Sequence, residues 1–130
     1  MKNLRHWLKS KRKTKFQYGT WDCLIAVAEW ITFKTGRDYK ALVCGYDSSL
    51  EAYRKLEKDY GGSLIACLDK HLPNPIHPNL AQRGDVGVLI IENREICAIR
   101  DAYCWWVSCE QGMMPLVLGQ YTEIQAWRIE

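Results

Sequence analysis

The chain has 130 residues, 48% of them apolar and 25% charged, with six Trp and six Cys. That length suits one domain with a core of its own, and the balance excludes a disordered, fibrous or collagen-like polypeptide. The net charge of +3 at pH 7 is unevenly spread: seven of the 18 basic residues precede Asp22 with no acid among them, leaving 11 against 15, or −4, in the remainder. At the N-terminus, Leu4, Trp7 and Leu8 recur at i, i+3 and i+4. This spacing predicts a short amphipathic helix within residues 1–15, its apolar stripe packed on the domain and its Lys and Arg turned to water or a partner. The basic connector that follows, with Lys11, Arg12 and Lys13, reads as a docking strip or solvated arm, and no nucleic-acid partner is expected. No secretory leader is expected either, because the basic start lacks the apolar stretch one needs. Nor does any apolar run approach the roughly 18 residues of a membrane span, so no membrane insertion is predicted.

Tyr18-Gly19-Thr20-Trp21-Asp22-Cys23 then leads straight into the apolar run of residues 24–31. An Asp at the N-cap puts Cys23 in the first turn of a helix, where free backbone N–H groups and the helix dipole favour a thiolate. The same pattern also fits a capped core helix holding a buried cysteine. Gly36 is placed to stop this central helix. Two further helices are predicted, one capped by Ser48 or Ser49 and ended by Gly61-Gly62, the other capped by Ser63 and ended before Pro73. Residues 72–80, with Pro73, Pro75 and Pro78, read as an extended loop outside any strand ladder.

From residue 85 the period changes to that of strands. Residues 85–91 and 95–100 flank a turn at Glu92-Asn93-Arg94, and further strands are expected at 103–108, 114–118 and 124–129. Helices first and a meander of strands last make an α+β domain. The six cysteines, Cys23, Cys44, Cys67, Cys97, Cys104 and Cys109, contain no CxxC, and without a leader they read as reduced thiols. No metal and no cofactor are predicted. Trp105-Trp106 are adjacent on a strand and face opposite sides, so one of them is expected at the surface as a binding residue. Trp21, Trp30 and Trp127 are further aromatic candidates for a glycan groove, although core packing suits Trp30 and Trp127 better.

A helix headed by Asp-Cys, then helices, then an Arg-Gly-Asp-Val strand opening a small antiparallel sheet resembles the papain-like, NlpC-type cell-wall cysteine peptidases. Tyr18-Gly19, Asp22-Cys23, Thr35-Gly36-Arg37-Asp38, Gly45-Tyr46, Arg83-Gly84-Asp85-Val86, Gly112 and Ala126-Trp127-Arg128 are similar to a branch of that superfamily found among tail genes of tailed bacteriophages. The resemblance implies a single NlpC-like domain over residues 1–130, with N-terminal helices packed on a small antiparallel β-sheet. It implies Cys23 as nucleophile, supported by the N-cap Asp22, with a base His at the start of the strand after the Gly-Asp strand. Ile96 stands near that place, so the usual His is missing. His77, in the Pro-rich loop, is the candidate substitute base; His71 and His6 are the other imidazoles. Asp85, Glu95 and Asp101 are candidate orienters, with Asp85 expected rather to hold a turn.

Two readings follow from the resemblance. In the first, the chain is a structural or assembly protein of a phage tail, near the tail tip or baseplate, on a peptidase scaffold whose machinery has decayed. It would be made in the host bacterial cytoplasm and carried in the virion, docking on other tail proteins in a symmetric ring through Trp7, Lys11, Arg12, Lys13, Trp105 and Trp106. In the second, it is an active cysteine hydrolase that cleaves peptidoglycan stem peptides. An unrelated host-interaction or inhibitor protein is a third class.

Overall fold

Among the described residues, four polar residues start four α-helices, each accepting a hydrogen bond from the backbone N–H three residues on: Asn3, Asp22, Ser48 and Ser63. The computed structural model describes residues 3–17, 21–39, 48–116 and 119–130. Within them the helices are α1 (Leu4–Lys11), α2 (Cys23–Thr35), α3 (Ser49–Tyr60) and α4 (Leu64–His71). Gly36 and Gly61 end α2 and α3 in the left-handed conformation, as their positions predict. Tyr18, Gly19, Thr20, Cys44, Gly45, Tyr46 and residues 117–118, all part of the sequence expectations, lie outside the described residues.

The strands are β1 (Pro75–Ile76), β2 (Val86–Ile91), β3 (Arg94–Arg100), β4 (Trp105–Cys109), β5 (Gly112–Leu116) and β6 (Thr122–Trp127). They form one antiparallel sheet in the order β1-β6-β2-β3-β4-β5. The fold is therefore α+β, with two departures from the sequence expectation. The meander holds for β2 to β5, but β6 crosses back to pair with β2 instead of continuing beyond β5. The Pro-rich segment also joins the ladder, because an edge strand needs donors on one side only: Pro75 pairs with Trp127 and Ile76 with Ala126. A short 3₁₀ turn over Pro78–Leu80 follows.

Each face of the sheet has its own core. On one face Val86, Val88, Cys97 and Ile99 meet α1 and α2 through Trp7, Val27, Trp30 and Ile31. Trp7 stacks at 6.0 Å from Trp21 and 5.5 Å from Trp30, so α1 docks on its own domain. The other face is built around Trp105. Ala126, Gly87 and Ala98 lie abreast on β6, β2 and β3, and this row of small residues leaves a trough for the Trp105 indole. A Cβ on Gly87 would come within 2.7 Å of the Trp105 ring. Trp105 Nε1 donates to Glu123 Oε2 at 2.8 Å, which gives the indole N–H its acceptor.

The N-terminal connector is tied to the far end of the sheet. Phe16 N donates to the Cys109 carbonyl at 3.0 Å and Met113 N to the Arg12 carbonyl at 3.2 Å, while Gly112 packs against Arg12 with no room for a side chain. Among the described residues, β3 pairs with β4 only at Ile99–Trp106 and Arg100–Trp105. The first half of β3 is thus left open on that side, and the head of α2 comes to lie there.

Candidate functional site: a thiol pair at the head of α2

Asp22 is 4% exposed and its Oδ1 accepts from Ile25 N at 2.9 Å, which fixes the first turn of α2 and the position of Cys23. Ser108 on β4 donates to the Trp21 carbonyl at 3.5 Å, holding the segment before the cap. Cys23 is half-buried and opens on a cleft of about 350 Å³ between α2, α3, α4 and the β2–β3 turn. Leu24, Leu56, Tyr60 and Leu64 give the cleft an apolar floor, and Lys55 and Glu95 stand among its polar lining.

The nearest chemical partner of Cys23 is another thiol. Cys97, 1% exposed on β3, belongs to the core cluster against which Cys23 packs, and of its neighbours acts most strongly on the Cys23 thiol. The Cys97 side chain is the largest influence on Cys23 and holds its thiol below the ordinary range; burial works against it, and the backbone N–H groups of Cys97 and Leu24 add to the lowering. Cys97 moves the other way, well above the ordinary range, first through the Cys23 side chain and then because it is buried. The two thiols are thus pushed in opposite directions, Cys23 down and Cys97 up.

The strand position that meets the thiol is thus Cys97, one residue on from Ile96. Side chains alternate along β3, so Cys97 and Ile99 share the helix-facing core while Ile96 and Ala98 belong to the opposite one. Sequence reasoning missed Cys97; the signal was there in the alternation of residues 95–100.

None of the three histidines lines the cleft among its described residues. His77 is exposed, its Nδ1 accepts from Asn79 N at 3.1 Å, and it follows β1. Three strand spacings separate β1 from β3, about 14 Å. His77 is therefore not brought to Cys23, because the Pro-rich segment is drawn into the sheet edge instead of over the helix head. His6 is exposed on α1. His71 Nε2 shares a 2.8 Å hydrogen bond with Tyr60 Oη, and Cys67 is fully buried. Burial, then the neighbouring Lys70, lowers His71, and burial raises Cys67.

The carboxylates have structural work. Asp85 is 3% exposed; it accepts from Gln82 N at 2.8 Å and Ile129 N at 3.1 Å, and Arg128 lies 3.4 Å away, so it holds the turn before β2 and the C-terminal segment together. Asp101 accepts from Arg83, Ala102 N and Trp106 Nε1. Burial alone would raise it, but those bonds prevail and its carboxyl sits below the usual range. The residues expected to bind partners separate into two groups. Trp7 and Trp105 are core residues, 2% and 0% exposed, which corrects their assignment to a docking surface. Trp106 is half-buried and bonded to Asp101. Lys11 is drawn inward, 2.7 Å from Glu29 and over the Trp21 ring. Arg12 and Lys13 remain exposed at the end of α1.

The described residues contain no group of three or more His, Cys, Asp or Glu arranged to hold a metal ion, and no helix long and apolar enough to cross a membrane. Five cysteines, Cys23, Cys67, Cys97, Cys104 and Cys109, are free thiols. No curated protein and no solved structure matches the chain. A family does match it, over residues 1–129: the chain belongs to the family described as Domain of unknown function (DUF6950).

Proposed function

We propose that the chain is a structural or assembly protein of a bacteriophage tail, in the tail-tip or baseplate region, built on a papain-like NlpC-type scaffold that has lost its peptidase machinery. The observation that carries the second half of this reading is the partner of Cys23. A hydrolytic cysteine needs a base that takes up a proton and later delivers it to the leaving group. Here the facing group is Cys97, a thiol whose own proton is held tightly, and the histidines are exposed or committed elsewhere. The tail assignment rests on the likeness in motif order from Tyr18-Gly19 to Ala126-Trp127-Arg128. The exposed basic residues Arg5 and Lys9 on α1, and Arg12, Lys13 and Lys15 just beyond it, support a docking role, since the apolar stripe of that helix is already buried. The virion is the corresponding location, with other tail proteins as partners.

One observation favours a second reading, a cysteine hydrolase acting on peptidoglycan stem peptides: Cys23 has a lowered thiol, helix-head N–H groups beside it and a cleft in front. Digestion of purified peptidoglycan by the wild-type chain and by Cys23→Ala separates the two. The tail-assembly reading expects no peptide release from either protein. Release by the wild type that disappears in Cys23→Ala would replace it with the hydrolase.

A further inference from the structure

Cys23 and Cys97 meet where β3 has lost its β4 neighbour, and they differ in access. Cys23 lines the cleft, while Cys97 does not line it and is buried in the core cluster against which Cys23 packs. An outer thiol that solvent can reach and an inner one reached only through it is the arrangement thiol–disulfide exchange requires: the outer sulfur attacks, the inner one resolves. The remaining described thiols are otherwise placed. Cys67 is fully buried against Tyr60, Cys109 donates to the Gly112 carbonyl at 3.0 Å, and Cys104 lies in the turn between β3 and β4.

We propose that Cys23 and Cys97 form a reversible dithiol–disulfide couple, an exchange site whose substrates are low-molecular-weight disulfides. The Cys23 thiolate attacks one sulfur of the disulfide RSSR, forming Cys23–S–SR and expelling RS⁻. Cys97 then loses its proton to solvent, attacks Cys23 Sγ and expels the second RS⁻. The two protein thiols are oxidised to one disulfide, RSSR is reduced to two thiols, and the two protons released by the protein balance the two thiolates. A disulfide S–S bond is about 2.0 Å, shorter than a hydrogen-bond contact, so closure draws the first turn of α2 onto β3 and removes the thiolate from the cleft. The couple goes beyond the tail-assembly reading and does not rest on it.

The test equilibrates the full folded chain with oxidised glutathione, blocks remaining thiols with iodoacetamide and maps the products by mass spectrometry. The wild type is expected to lose two hydrogens, to yield a Cys23–Cys97 cross-linked peptide, and to return to two alkylatable thiols with dithiothreitol. Cys97→Ser and, should that buried site not tolerate a hydroxyl, Cys97→Ala are expected to stop at one glutathione on Cys23. A wild type that also stops at glutathionylated Cys23, that links Cys23 to a different cysteine, or that leaves Cys23 fully alkylatable would overturn the proposal. None of these outcomes bears on peptidoglycan digestion, so the couple and the functional reading fail separately.

Discussion

Cys23 owes its character to three neighbours: the Asp22 cap that sets its turn, the Leu24 N–H that the cap leaves free, and Cys97 across the gap to β3. Because Cys97 supplies the largest lowering, the iodoacetamide reaction of Cys23 in the native chain should rise through a midpoint below that of an ordinary thiol. In Cys97→Ala that midpoint should move upward, since burial then acts with less opposition; a profile unchanged by the substitution would show that Cys97 does not control the thiol. The cap and the cysteine were legible in the sequence because they are neighbours in the chain and a helix start is a local event. Cys97 was not, because which β3 residue meets the thiol depends on the facing of a strand far along the chain, and a one-residue difference exchanges Ile96 for Cys97. Asp85 was legible as a turn holder, and its cost can be measured. Asp85→Ala leaves the buried Ile129 N–H and the partly buried Gln82 N–H without their acceptor, and urea denaturation should show a loss of about 2 kcal/mol.

At the level of elements, caps and glycine stops placed the helices, and alternation placed most of the strands. The sheet order was less accessible. β6 pairs with β2 instead of extending the meander, and the Pro-rich segment becomes an edge strand, because each choice depends on which backbone edge is left open after β2 to β5 have formed. Trp105 shows how such an order overrides a local reading. On its own strand it is one of two adjacent tryptophans, but Ala126, Gly87 and Ala98 converge only once β6, β2 and β3 lie side by side, and they give its indole a buried trough. Gly87→Val fills that trough. It should destabilise the domain by about 1–3 kcal/mol through overpacking, read as a lower urea midpoint with Trp fluorescence shifted toward the solvent-exposed value. An unchanged midpoint would mean that the indole does not occupy the trough.

For the molecule as a whole, the burial of Leu4, Trp7 and Leu8 makes α1 part of the domain and leaves its basic residues as the presented surface. Arg12→Glu with Lys13→Glu should change stability by no more than about 0.5 kcal/mol, because both side chains are exposed, and under the tail-docking proposal should prevent the chain from being incorporated into particles. Equal incorporation of the charge-reversed chain into particles would exclude that strip as the docking surface. The central claim, a tail-assembly domain that no longer cuts bonds, is tested most directly by complementation. The gene is deleted from the genome that carries it, and the wild-type chain or Cys23→Ala is supplied in trans while completed tails are counted by electron microscopy. Under the tail-assembly proposal, deletion abolishes completed tails and Cys23→Ala restores them as fully as the wild type does. Tails formed normally without the chain, or restored by the wild type and not by Cys23→Ala, would contradict it.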